Sequence, residues 1–258
     1  MKVVILCGGM GTRLREETEY KPKPMVEVGG RPILWHIMKT YAAHGHNEFV
    51  LCLGYKGDVI RDYFLNYQAR SNDFSVDLGS GDLQVHGRHA ESQWKVTLVE
   101  TGAKAMTGAR LHRVREYLDG SDFCLTYGDG VASVDIAAEE AFHRQHDCIG
   151  TVLGVRPQSR FGELVIDGSA VTNFSEKPQL DGSRPINGGY FMFKREFFEY
   201  LSDDEGLVLE RKPLMDLASA NQLQVFDHSG YWQCMDTYRD FELLNREWDT
   251  GNAPWKVW

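Results

Sequence analysis

The fold is decided by residues 3–14, which read VVILCGGMGTRL. The first five of these residues form an apolar run typical of a buried strand, and glycines follow it at once. Glycines that follow a buried strand leave backbone N–H groups free and let an anion approach the chain closely. We therefore predict a phosphate-binding loop at the carboxyl end of a first strand.

A basic segment, residues 21–25 (KPKPM), comes soon after this loop. Arg13, Lys21 and Lys23 can converge there on one negative charge. Residues 1–31 hold six basic and four acidic side chains, although the whole chain has a formal net charge of -9. A local positive patch on an acidic protein suits a small anionic ligand such as a polyphosphate. A nucleic-acid surface would instead need a broad basic stripe.

Apolar strand-like runs alternate with helix-like segments through most of the chain. We predict strands at 2–7, 49–53, 96–99, 123–127 and 150–155, and helices at 32–44, 57–66, 108–118 and 135–145. This alternation predicts an α/β fold with a doubly wound, mainly parallel, Rossmann-like sheet. Ligands of such sheets lie outside the carboxyl ends of the strands, which is where the glycine loop falls.

Two regions depart from this alternation. Residues 67–94 are polar and contain glycine, so we predict an inserted loop or hairpin there. Residues 161–193 alternate in short strands, including 190–193, and predict a small antiparallel lobe on the substrate side. Because no sharp boundary is visible, we expect residues 1–258 to form a single domain.

Two aspartates are candidate metal ligands. Asp129 lies between two glycines just after a predicted strand, and Asp236 precedes a helical pattern over residues 237–249. Mg²⁺ is usually held by one or two carboxylates together with substrate phosphates. Each aspartate also has a purely structural alternative, Asp129 as a turn or helix N-cap residue and Asp236 as a helix N-cap.

Further short motifs can face the same cleft. Lys177 offers a point charge for a phosphate group, and Glu176 offers an acceptor for a sugar hydroxyl. Asn187 adds an amide, and Gly162 allows close approach of a ligand. The segment TGAR at 107–110 opens a helix toward the cleft, or Thr107 simply caps that helix. For residues 176–178, an exposed charged turn remains the alternative.

Taken together in their order along the chain, these motifs resemble those of the sugar-1-phosphate nucleotidyltransferase family. The resemblance extends over the whole chain. Residues 32–38, 98–102, 232–237 and 253–258 resemble the branch of that family that uses CTP and α-D-glucose 1-phosphate. The resemblance implies that the sugar phosphate attacks the α-phosphorus of CTP in line. CDP-glucose and pyrophosphate would be the products, without a covalent enzyme intermediate.

The resemblance also implies a role for each candidate residue. Arg13 and Lys23 are the implied catalytic residues, because they neutralise the triphosphate and the departing pyrophosphate. Asp129 and Asp236 are the implied Mg²⁺ ligands. The implied nucleotide-binding residues are Leu6, Gly8, Gly9, Gly11, Thr12, Arg13, Lys23, Thr107, Arg110 and Gly128. The implied sugar-phosphate-binding residues are Gly162, Glu176, Lys177 and Asn187.

Bulk properties predict a cytoplasmic protein. No apolar run approaches the roughly 18 residues of a membrane span, and the start does not read as a signal peptide. Five cysteines without a C-x-x-C pair are typical of small buried residues in a reducing compartment. The resemblance implies a homo-oligomer, and the insertion at 67–94 and the tail at 253–258 are candidate contact surfaces.

Three other functions compete with this interpretation, and the sequence weighs differently against each. The same loop serves uridylyl, thymidylyl and guanylyl transfer, because the choice of base depends on a few hydrogen bonds. A sugar-nucleotide sensor with this fold should lose the metal carboxylate or the Lys23 cation, and both are present. A dinucleotide-dependent oxidoreductase is disfavoured, because Leu14 stands where G-x-G-x-x-G requires its third glycine.

Overall fold

The computed structural model of the protein describes residues 1–9, 11–157, 163–175 and 184–258. The strands are β1 (Lys2–Leu6), β2 (Glu27–Val28), β3 (Arg31–Pro32), β4 (Glu48–Leu53), β5 (Asp73–Val76), β6 (Leu83–His86), β7 (Lys95–Glu100), β8 (Phe123–Tyr127), β9 (Gly130–Ala132), β10 (Gly150–Val155), β11 (Glu163–Asp167), β12 (Ala170–Ser175), β13 (Ile186–Phe193), β14 (Leu223–His228) and β15 (Trp232–Cys234). The α-helices are α1 (Arg15–Thr18), α2 (Ile33–Ala43), α3 (Gly57–Leu65), α4 (Tyr67–Ser71), α5 (Thr107–Arg113), α6 (Ile136–Gln145), α7 (Lys212–Ser219) and α8 (Tyr238–Asp249). Short 3₁₀ helices cover Thr12–Leu14, Lys23–Met25, Arg115–Leu118 and Arg195–Tyr200.

Among the described residues, a seven-stranded sheet has the order β14-β10-β13-β8-β1-β4-β7. Its first strand, β1, pairs in parallel with β4 and β8, β4 pairs in parallel with β7, and β10 pairs in parallel with β14. Only β13 opposes its neighbours in this sheet, because it pairs antiparallel with both β10 and β8. The predicted α/β class with a mainly parallel sheet is confirmed.

Helices cover both faces of the sheet. Val3 and Ile5 of β1 pack on one face with residues of α2, while Val4 and Leu6 pack on the other face with Leu111 of α5. Successive side chains of a strand point to opposite faces, so β1 contributes to two core clusters. Its four apolar residues are all buried, as expected for a strand with helices on both sides.

The predicted location of residues 190–193 in the fold was wrong. These residues were expected in the small antiparallel lobe, but they form the end of β13 in the middle of the main sheet. All four side chains are at most 1% exposed, and they pair with residues 123–126 of β8. A continuous apolar run suits a central strand that is covered on both faces. The small antiparallel pair consists of β11 and β12.

The segment at 67–94 contains α4 and a two-stranded hairpin formed by β5 and β6. Phe74 pairs with Val85 in this hairpin, and all four residues of β5 are exposed. The tail at 253–258 differs, since Trp255 is fully buried in a core cluster of its own chain. Within the described ranges, no helix has the length and apolar character needed to cross a bilayer.

Candidate functional site

A cleft of about 800 Å³ opens at the carboxyl ends of β1 and β8. The two strands run in parallel and their last residues, Leu6 and Tyr127, are partners, so the segments that follow them meet at one edge. The predicted site residues that line this cleft are Leu6, Gly8, Gly9, Gly11, Arg13, Lys23, Thr107, Arg110, Gly128, Asp129, Asn187 and Asp236. The structure thus brings most of the predicted site together.

The remaining predicted site residues do not all belong to the described part of the chain. Gly162, Glu176 and Lys177 lie outside the described residues. Thr12 begins a 3₁₀ helix beside the glycine loop, but its side chain is not among those described. Lys21 does not join the other cations that line the cleft. It instead forms an ion pair with Glu17 at 3.9 Å.

Arg110 braces the glycine loop. Its guanidinium donates hydrogen bonds to the carbonyl oxygens of Leu53 (2.8 Å) and Gly8 (3.1 Å) and to the hydroxyl of Thr101 (2.8 Å). A Cβ at Gly8 would lie 2.1 Å from the Arg110 Cζ, so the close approach requires glycine. Arg110 is only 4% exposed, and burial lowers the pKa of its guanidinium because desolvation disfavours the charged form.

Lys23 lies between the two predicted metal ligands. Its Nζ donates to Asp129 Oδ2 at 2.7 Å and to Asp236 Oδ1 at 2.6 Å. Lys23 is 8% exposed, and burial alone would lower its pKa. The charges and hydrogen bonds of the two carboxylates outweigh burial, so the pKa of Lys23 is raised. The ammonium therefore stays charged in the cleft.

Arg13 completes this charged cluster from the solvent side. Its Nη1 donates to Asp236 Oδ2 at 2.9 Å, while its own side chain is 73% exposed. Burial would raise the pKa of Asp236, but hydrogen bonding to Lys23 and the charges of Lys23 and Arg13 lower it overall. Asp236 is therefore held as a carboxylate.

The helix-capping alternatives for the two aspartates are wrong, although Asp129 does lie in a turn as its other alternative predicted. Helix α8 is capped by Thr237, whose side chain accepts from the N–H of Asp240 in a capping box. Helix α6 is capped by Asp135, which accepts from the N–H of Ala138 at 2.9 Å. Neither Asp129 nor Asp236 serves as a cap, so both carboxylates are directed to Lys23 and the cleft.

The two carboxylates fit a magnesium ion that also binds substrate phosphate. Both reach one ammonium nitrogen, so a cation is already accommodated between them. The described ranges contain no cluster of three or more His, Cys, Asp or Glu side chains that could hold a metal. Two hard oxygen ligands are nevertheless sufficient where substrate phosphates supply the rest of the coordination.

Tyr127, Trp232 and Glu210 are among the residues near this cleft that sequence reasoning missed. Tyr127 and Trp232 line it, and the Trp232 Nε1 donates to the carbonyl oxygen of Gly188 at 2.7 Å. Glu210 accepts a hydrogen bond from Thr107 at 2.8 Å. Thr107 does not cap α5, since Met106 holds that position. Tyr127 could have been found from its position, because it directly precedes the Gly-Asp-Gly segment. Glu210 lies outside every motif, so no sequence signal pointed to it.

Comparisons with known proteins agree with this geometry. The family model described as Nucleotidyl transferase matches residues 2–247. The chain is 49% identical to "Glucose-1-phosphate cytidylyltransferase" of Salmonella typhi and 42% identical to "Probable glucose-1-phosphate cytidylyltransferase" of Bacillus subtilis, with all of each chain covered. The fold is similar to a crystal structure of UDP-glucose pyrophosphorylase complexed with UDP-glucose, with a TM-score of 0.69 at 14% identity over 97% of this chain and 98% of that one.

Proposed function

The chain belongs to the nucleotidyl transferase family, and we propose from this premise that it transfers the cytidylyl group of CTP to α-D-glucose 1-phosphate. The products are CDP-glucose and pyrophosphate. The type of reaction is supported above all by Lys23, which is held between two carboxylates beside a glycine loop. The choice of cytosine and glucose is supported by full-length similarity to the cytidylyltransferases of Salmonella and Bacillus.

The triphosphate lies along the glycine loop in this proposal. Gly8, Gly9, Gly11 and Thr12 offer backbone N–H groups beside the end of β1, and Gly128 lies at the adjacent end of β8. Bare amides at a strand end bind phosphate oxygens without steric hindrance from side chains. The brace formed by Arg110 keeps the loop in place before the ligand arrives.

Lys23 and Arg13 exchange partners when the nucleotide binds. In the described structure both cations are paired with carboxylates. Phosphate oxygens replace those carboxylates, so Lys23 and Arg13 neutralise the triphosphate and then the departing pyrophosphate. Asp129 and Asp236 thereby become available to hold Mg²⁺. When bound there, the metal ion supplies positive charge that polarises the α-phosphate.

The sugar phosphate binds on the opposite wall of the cleft. Asn187 lines this wall, and Gly162, Glu176 and Lys177 remain predicted sugar-phosphate ligands. A phosphate oxygen of glucose 1-phosphate forms a bond to the α-phosphorus of CTP, and the bond to the bridging oxygen of pyrophosphate breaks. Catalysis consists of positioning and charge neutralisation, as in phosphoryl transfer generally.

The test is a comparison of nucleotides with purified protein. CTP, UTP, dTTP, GTP and ATP are each incubated with labelled glucose 1-phosphate and Mg²⁺, and nucleotide sugar and pyrophosphate are both quantified. We expect labelled CDP-glucose and equimolar pyrophosphate with CTP. Product only with UTP or dTTP would contradict the choice of cytosine. Absence of product with any nucleotide would contradict the enzymatic function.

We also propose a single catalytic domain, a cytoplasmic location and a homo-oligomer. Both core clusters pack on one sheet, which favours one domain. The five cysteines are free thiols, and this usage favours a reducing compartment. The homo-oligomer implied by the resemblance remains a prediction, which light scattering coupled to size-exclusion chromatography would test. A monomeric mass would contradict it.

A further inference from the structure

Glu210 joins two walls of the cleft through its carboxylate. Its Oε1 accepts a hydrogen bond from the hydroxyl of Tyr127 at 2.5 Å, and its Oε2 accepts one from the hydroxyl of Thr107 at 2.8 Å. Both of those residues line the cleft, although Thr107 begins α5 and Tyr127 ends β8. One carboxylate therefore fixes a side chain near the nucleotide loop and another beside the Gly-Asp-Gly segment.

The direction of each proton in this network follows from its donors and acceptors. The Thr107 hydroxyl accepts from the N–H of Leu209 at 2.9 Å, so its own proton goes to Glu210. The second carboxylate oxygen, Oε1, accepts the hydrogen bond from Tyr127, so the proton of Tyr127 also goes to Glu210. The phenolic oxygen then presents its lone pairs to Asn187, whose Nδ2 lies 3.5 Å away.

Asn187 is held in one orientation by its neighbours. Its Oδ1 accepts from the N–H of Gly189 at 2.8 Å, which leaves Nδ2 as the donor end of the amide. A Cβ at Gly189 would lie 2.5 Å from Tyr127 Cδ2, so the tyrosine ring packs directly against this turn. An amide nitrogen carries two N–H groups, and the contact with Tyr127 uses one of them. The second can donate to a substrate oxygen.

We propose that Glu210 is a positioning residue for the sugar phosphate, acting through Tyr127 on the donor amide of Asn187. This inference rests on the proposed cytidylyl transfer and on the predicted role of Asn187 as a sugar-phosphate ligand. Glu210 acts without touching the substrate, since it determines where the proton of Tyr127 points. The group recognised at the end of the network is a hydrogen-bond acceptor, a hydroxyl or phosphate oxygen of the sugar phosphate.

Glu210→Gln reverses the polarity of the network. Thr107 still needs an acceptor and takes the glutamine Oε1, so the glutamine Nε2 donates to Tyr127. The proton of Tyr127 then points at Asn187 Nδ2, and two donors oppose each other. We expect the KM for glucose 1-phosphate to rise about tenfold, the loss of roughly one hydrogen bond. The kcat and the KM for CTP stay within about twofold of wild type, as expected when only one substrate is affected.

Tyr127→Phe provides a second variant because it removes the hydroxyl that joins Glu210 to Asn187. We expect a similar rise in the KM for glucose 1-phosphate. The double variant Tyr127→Phe/Glu210→Gln should be no worse than either single variant, since both changes break the same link. The matched control is Glu199→Gln, a change in an exposed glutamate that does not line the cleft.

The measurement begins with CDP-glucose formation by the wild type. If the wild type forms product but Glu210→Gln has an unchanged KM for glucose 1-phosphate, the positioning role alone is refuted. Losses that add in the double variant, or that fall equally on both substrates, also refute it. If the wild type forms no CDP-glucose, the proposed function and this inference fail together.

Discussion

Lys23 and Arg110 are two buried cations in one cleft, but they have different kinds of partner. The ammonium of Lys23 is held by the carboxylates of Asp129 and Asp236. The guanidinium of Arg110 is held by two backbone carbonyl oxygens and a hydroxyl, all of them neutral. The structure therefore separates a cation with exchangeable charged partners from a cation tied to the backbone of the loop.

Because their partners differ, the two cations have different roles. A lysine is a compact point charge on a flexible stem, so it can leave one anion for another. The planar fork of an arginine suits several fixed acceptors at once. We interpret Lys23 as the cation that transfers to the phosphates and Arg110 as the cation that keeps the loop in shape.

The largest effect is expected for Lys23→Met in turnover. This change removes the charge that neutralises the triphosphate while keeping most of the length of the side chain. Groups of this kind are typically worth about 10²–10³ in kcat. Steady-state kinetics with CTP and glucose 1-phosphate would measure the loss. Lys21→Met is the matched control, because Lys21 pairs with Glu17 and does not line the cleft. Equal kcat values for the two variants would contradict the role of Lys23.

Arg110→Lys should act on stability and on nucleotide binding. An ammonium cannot satisfy the three separated acceptors at Leu53, Gly8 and Thr101, so at least one buried oxygen loses its donor. We expect the free energy of unfolding to fall by about 1–3 kcal/mol and the KM for CTP to rise. Denaturant unfolding and initial rates would measure both. Arg144→Lys, in an exposed pair with Glu140, should change stability by less than about 1 kcal/mol.

Lys23→Met should also strengthen metal binding in the absence of nucleotide. The ammonium competes with a divalent cation for Asp129 and Asp236, and the variant removes this competition. We expect the affinity for Mn²⁺ alone to rise about tenfold, since hydrogen bonds between charged groups are worth at least that factor. Electron paramagnetic resonance of free Mn²⁺ would measure it, again with Lys21→Met as control. Unchanged or weaker binding would show that the ammonium does not occupy the metal position.

Glu139 contrasts with the two buried cations, because it is a buried acid whose Oε1 has no hydrogen-bond partner in the described chain. It is 1% exposed, and burial raises its pKa from 4.5 to about 8. The folded state therefore keeps a proton that the unfolded state loses above pH 4.5. Glu139 should lower stability by about 1.4 kcal/mol per pH unit as pH rises from 4.5 toward 8, with little further change above that.

Glu139→Gln should remove this contribution to the pH dependence, because glutamine does not titrate. Chemical unfolding at several pH values between 5 and 8 would measure the two slopes. Glu242→Gln is the control, since Glu242 is exposed on α8 and should leave the slope as it is in wild type. A wild-type slope in the Glu139→Gln variant would show that Glu139 is ionised in the folded state.

The sequence was sufficient where local pattern decides the outcome. The glycine loop after β1 and the helix at 136–145 follow from short-range signals, and the structure has both. The position of β13 in the sheet could not be predicted from the sequence, because strand order depends on pairing between distant segments. Strand β14 was missed because it lies at the sheet edge, where its side chains are half-buried or exposed and the apolar signal is weak.

For the site, residue types were predictable but contacts were not. The motifs and the family resemblance both pointed to Lys23, Asp129 and Asp236, while the convergence of both carboxylates on one ammonium required coordinates. Arg110 was expected to approach the nucleotide, but no motif predicted its hydrogen bond to the carbonyl oxygen of Gly8. Glu210 lies 83 residues from Tyr127 and has no motif of its own, so nothing local indicated their hydrogen bond.

Lys23 and its second carboxylate partner are 213 positions apart in the chain. During translation, the glycine loop, Lys23 and Asp129 are therefore all made well before Asp236 exists. Until the ribosome reaches that residue, the nascent chain has only one of the two acids that neutralise the ammonium. The active arrangement of charges can form only late in synthesis, after all seven strands of the main sheet have been synthesised.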